Sequence, residues 1–185
     1  MTDTLTHIDV RPQGIATVLA GAVVTVLGIT AALSPDLVGP VWFAAVVPAA
    51  LLFAVGIVGL RRLAVAVGPS RPVTVALAVA AVAMTFFGLA HAYALVDPDT
   101  AILLFSVVMV LAAVSLIVAA LGMFRDTFRG TAGLPRWATL AAGVWPLATI
   151  PAGAALGDLP HFGAIAVWGV TWIVLGATLI HAARA

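Results

Sequence analysis

Residues 14–33 read GIATVLAGAVVTVLGITAAL, and no charged side chain interrupts them. A helix needs about 20 mainly apolar residues to cross the roughly 30 Å hydrocarbon core of a bilayer. This stretch therefore reads as one membrane span. Five further runs share its character: Val41–Leu60, Pro72–Val96, Ala101–Met123, Trp137–Leu156 and Phe162–Ala183. None of the six contains an Asp or an Arg. Lipid offers no partner to a free backbone N–H or C=O, so closed helices are expected. The alternating polarity of a membrane β-barrel strand is missing. The expected fold is all-α: a polytopic bundle of six transmembrane helices over 14–183. Residues 1–13 and 184–185 form short cytoplasmic ends.

Composition supports the same reading. Of 185 residues, 64% are hydrophobic and 8% charged, and the mean hydropathy is +1.24. Soluble domains carry about 25% charged residues, so most of this surface must face lipid. The chain has no Lys, Glu or Cys, which removes disulfides, thiolate metal sites and a cysteine nucleophile. A net charge of +1 creates no field to attract nucleic acid. The Ala, Val, Gly and Arg bias without Lys points to a GC-rich, prokaryotic genome. A cleaved signal peptide fits poorly, because Asp3 and Asp9 precede an apolar run of spanning length.

The arginines set the orientation. Arg61, Arg62 and Arg71 are expected between helices 2 and 3, and Arg125, Arg129 and Arg136 between helices 4 and 5. Arg11 precedes helix 1 and Arg184 follows helix 6. The other three connections hold only Asp36, Asp97, Asp99 and Asp158. Both termini are thus expected in the cytoplasm of a cell whose plasma (inner) membrane holds the protein.

The outer turns resemble one another. Ala32-Leu33 leads to Asp36, Ala94-Leu95 to Asp97 and Ala155-Leu156 to Asp158, with the Asp residues 61 apart each time. A fixed period signals repeat architecture, here three two-helix hairpins. Gly14, Gly21 and Gly28 recur every seven residues on helix 1, Gly169 and Gly176 on helix 6, and Gly153 with Gly157 makes a GxxxG pair. Small residues let helices approach closely in lipid. The stripes serve packing inside the chain or a seam between two copies. Trp168 and Trp172, four apart, share one helix face and read as packing residues.

The stretch Leu27-Gly28-Ile29-Thr30-Ala31-Ala32-Leu33-Ser34-Pro35, with the return helix Pro48–Leu60 carrying Gly56 and Gly59, resembles the HdeD family of small bacterial membrane proteins. That resemblance implies six helices built from a repeated hairpin and a role in envelope or acid-stress tolerance. It implies no catalytic residue.

Intramembrane ionisable groups are the best pointers to function, and few are present. His91 is the foremost candidate, expected about 7–8 Å from the outer end of helix 3 at 1.5 Å per residue. Tyr93 and His161 lie toward the same side. Three roles are open for His91: a packed histidine, a pH-responsive group, or a haem or metal ligand paired with His161. No spacing marks a metal centre, and no cofactor is expected. Pro48, Pro146 and Pro151 are candidate helix breaks. They would suit a small transporter or channel built from two inverted halves, although no carboxylate lies within a span. Without a paired nucleophile and base, paired carboxylates or a metal site, no enzyme is expected. The remaining alternative is a membrane-anchor or cofactor-carrying subunit of a larger complex. The bilayer is the expected partner, with a second copy or other membrane proteins as further candidates.

Overall fold

The computed structural model describes residues 9–68, 70–125, 133–156 and 158–182, with side chains throughout these except at 67, 133–134 and 150–160. Arg129, Gly157, Arg184 and most of the N-terminal segment lie outside the described residues. Pro151, Gly153 and Asp158 are described in their backbone alone.

Six α-helices follow in order: α1 (Arg11–Leu33), α2 (Pro40–Val67), α3 (Arg71–Tyr93), α4 (Pro98–Arg125), α5 (Gly133–Leu156) and α6 (Asp158–Ala182). A 3-10 turn (Pro35–Leu37) joins α1 to α2. The described residues form no strand. Proline stands in the first two positions of α1, α2, α3 and α4. There its missing N–H would have had no partner anyway, and its fixed φ suits the helix. Among the described residues, five helices are long and apolar enough to cross a membrane: α1, α2, α3, α4 and the His161–Ala182 part of α6. Large apolar side chains such as Leu19, Val26, Val82, Phe86, Leu103 and Val107 are exposed, as a lipid-facing surface requires. The chain is a multi-pass membrane protein.

Several helix ends differ from the sequence-based limits. α2 runs on past Leu60 to Val67, so Arg61 and Arg62 belong to the helix and not to a connection. Ala64, Val65 and Ala66 give no reason to stop. The helix ends where Gly68 takes the left-handed conformation, φ +82°, at little steric cost. Arg71 already begins α3. Arg61 Nε reaches across to donate to the Thr74 carbonyl at 3.2 Å. At the other end, α3 stops at Tyr93 rather than Val96, and Asp97 caps α4 by accepting from the Thr100 N–H at 3.2 Å.

Each helix packs on its neighbours in sequence, and α1 packs on α6 to close a ring. The ring does not mark off three hairpins. α2 meets α3 about as extensively as α3 meets α4, and the largest interface joins α1 to α6. The two glycine stripes explain that interface, because they face each other. A Cβ on Gly21 would lie 2.6 Å from the Gly169 carbonyl oxygen, and one on Gly176 would lie 2.6 Å from that of Gly14. Gly28 meets Ala166 in the same way. Backbone touches backbone, and no larger side chain fits.

The prolines do not interrupt their helices. α2 continues through Pro48, whose ring is exposed. α5 continues through Pro146 and Pro151. At Pro146 the reason is visible. Proline has no N–H, so the Ala142 carbonyl four residues back loses its helical donor. Trp168 Nε1 of α6 donates to that carbonyl at 3.0 Å. Neighbouring helices commonly satisfy a proline-freed carbonyl in this way.

Candidate functional site

The middle of the ring is filled by aromatic rings. Phe53 of α2 stacks on Trp172 of α6 with centroids 4.3 Å apart, and Trp168 packs edge-on against both. Above this layer, toward the end with the α1–α2, α3–α4 and α5–α6 connections, the helices enclose a cavity of about 370 Å³. All six helices contribute to its wall. This size falls within the usual range for small-molecule sites, about 300–1,000 Å³.

His91 of α3 is the most confined polar group on that wall, only 3% exposed. Phe105 of α4 stacks on its ring at 4.9 Å, and Phe87 meets it edge-on at 4.3 Å. Trp42 and Phe43 of α2 stand 6.1 Å away. Nδ1 lies 2.9 Å from the Phe87 carbonyl oxygen. A carbonyl can only accept, so this contact assigns the ring proton to Nδ1. In the neutral ring, Nε2 is then an acceptor.

Two hydroxyls share the wall and the same habit. Ser106 donates to the Ile102 carbonyl at 2.7 Å, and Thr149 to the Pro146 carbonyl at 2.9 Å. Both have given their proton to their own helix. His161 and Phe162 of α6 complete the mouth with Trp42. Trp42 Nε1 and His161 Nδ1 are buried without a partner among the described residues. No Asp, Glu, Lys or Arg is among the described lining residues.

The sequence-level candidates thus divide. His91, His161 and Pro146 come together on one cavity. Tyr93 does not join them. It is 42% exposed, because two residues along a helix turn it roughly 200° away from His91. It helps hold Asp97 instead. Hydrogen bonds from Thr100, with a smaller one from Tyr93, keep the Asp97 carboxyl below its ordinary value of 3.8. Pro48 lies on the outer face, away from the cavity. Among the described residues, no group of three His, Cys, Asp or Glu could hold a metal ion. Sequence reasoning missed Phe43, Phe87, Phe105 and Phe162. A phenylalanine in an apolar helix gives no sign of which way it faces.

Comparison with protein-family models, with curated proteins and with solved structures found no match.

Proposed function

We propose that this is a non-enzymatic, six-span plasma-membrane protein that binds a small, neutral, largely apolar molecule in the chamber around His91. The observation that carries this reading is a cavity of about 370 Å³ walled by aromatic rings from several helices, with no Asp, Glu, Lys or Arg on the described wall. An ion there would lose its hydration without gaining an opposite charge from an Asp, Glu, Lys or Arg of the described wall, at a cost of many kcal/mol. A transporter of inorganic ions is correspondingly disfavoured. α5 supplies the sixth span in this reading: it is 24 residues long and stands between α4 and α6 in the ring. The arginine distribution then puts both termini in the cytoplasm and opens the chamber toward the outer leaflet. Binding of an envelope compound would suit the envelope-tolerance role that the HdeD resemblance implies.

Naphthalene is a suitable first probe, being neutral and smaller than the cavity. Nanodiscs carrying the protein should retain it saturably beyond empty nanodiscs of the same lipid. Val46→Phe, which places a ring in the chamber from a lining position, should remove most of that excess. Retention no greater than in empty discs would end the proposal.

A further inference from the structure

We infer that the molecule bound in the chamber is a hydrogen-bond donor: an apolar ring compound carrying a free hydroxyl, that is, a phenol or a cyclic alcohol. The inference rests on the chamber reading and adds the chemistry of the ligand.

The argument is an account of protons. His91 Nδ1–H is spent on the Phe87 carbonyl, the Ser106 hydroxyl proton on the Ile102 carbonyl, and the Thr149 hydroxyl proton on the Pro146 carbonyl. Each acceptor is a backbone oxygen that cannot give a proton in return. What remains on these three lining residues is a set of lone pairs: His91 Nε2, Ser106 Oγ and Thr149 Oγ1. At these three residues a ketone, ether or ester would bring lone pairs to lone pairs. An acyl chain would offer no proton to His91 Nε2, in a residue only 3% exposed, and a buried acceptor without a donor is costly. A hydroxyl supplies the missing proton. Its oxygen can also accept, which suits the unpartnered indole N–H of Trp42 on the same wall.

The walls argue for a ring. Phe87 and Phe105 present ring surfaces around His91, with Phe162 and Trp42 at the mouth. Aromatic guests gain offset-stacked or edge-on contacts on such surfaces beyond simple area burial. Charge argues for neutrality, so the hydroxyl is carried as an alcohol or phenol and not as an acid.

The test compares 2-naphthol with 2-methoxynaphthalene, which has the same ring and the same oxygen but no proton to give. Each is partitioned between protein-loaded and empty nanodiscs, so that the empty discs correct for the difference in lipid solubility. The expected result is retention of the naphthol about fivefold tighter than the ether, the ratio that one net hydrogen bond produces. His91→Phe keeps a ring against Phe105 but loses Nε2, and Ser106→Ala is the milder second variant. The preference should shrink in at least one of them. Equal retention of both compounds overturns the donor inference and leaves the chamber reading standing. Retention of neither overturns both. An undiminished preference in both variants and in Thr149→Val would show that the acceptors named here are not the ones used and would overturn the assignment.

Discussion

The end of the bundle that carries Arg61, Arg62 and Arg71 is packed shut, while the opposite end is hollow. At the arginine end, Val10, Leu60, Val73, Met123 and Leu179 are all 0% exposed, and Gly14 lets α1 settle onto α6 beside them. At the other end, the wall is built of Trp42, Phe43, Phe87, Phe105 and Phe162 around about 370 Å³ of space. The helices are continuous through both regions, so helix geometry alone does not make the difference. Branched aliphatic side chains and glycine interdigitate at crystal-like density. Close packing lies at one end and open volume at the other.

The largest way to break this contrast is at the α1–α6 seam. Gly21→Leu forces side-chain atoms onto the Gly169 carbonyl and the Ile173 backbone, and neither can move without parting the helices. Overpacking of this kind costs about 1–3 kcal/mol, sometimes more. A clear fall in Tm in detergent should follow, larger than for the same substitution at the lipid-facing neighbour Ala22.

A second test addresses the layer between the two regions. Trp168→Phe strands the Ala142 carbonyl that Pro146 has freed, at a cost of about 1–3 kcal/mol. Pro146→Ala restores a backbone N–H to that carbonyl. The double variant should therefore be less destabilised than the two single changes added together, and strict additivity in the thermal unfolding data would refute the pairing.

Trp172 offers a smaller and sharper comparison on the same helix face. Its Nε1 is buried without a partner among the described residues. Trp172→Phe keeps a ring on Phe53 and removes the orphan donor, so stability should stay within about 1 kcal/mol of the parent. A loss as large as that of Trp168→Phe would show that the indole N–H is used.

The smallest effect is expected at Asp97, at the hollow end. Donors from Thr100 hold its carboxyl below the ordinary value of 3.8. A group lowered in the folded state contributes stability above its unfolded pKa and loses it as pH falls through the folded one. Below about pH 4, the Tm of the parent should therefore fall slightly more than that of Asp97→Asn. Parallel curves would mean that the cap contributes nothing.

The sequence made some of this legible and hid the rest for physical reasons. Long apolar runs announce spanning helices, because lipid tolerates little else. The two glycine stripes were visible as periods of seven. Their partnership was not, because a period on one helix does not say which other helix it faces. Arg61 and Arg62 read as the close of helix 2, but the helix runs on to Val67 and Gly68 sets its limit by its backbone conformation. Pro146 read as a break. The structure makes it a docking point, because the donor that mends it comes from Trp168, 22 residues away.

His91 stood out because a titratable ring is rare in such a chain, and His161 for the same reason. Tyr93 was grouped with them by nearness in sequence, and the helical turn separates it. Trp168 was visible by its spacing to Trp172, but the phenylalanine walls of the chamber carried no signal. What the sequence determined by itself is local and periodic: apolar length, polarity of the connections, the spacing of glycines, and the scarcity of ionisable groups within the bundle. The tertiary structure decided the rest: the closure of α1 on α6, the direction each phenylalanine faces, and the spending of three side-chain protons on backbone carbonyls. Those outcomes depend on which surfaces meet, and surfaces meet only when the whole ring has closed.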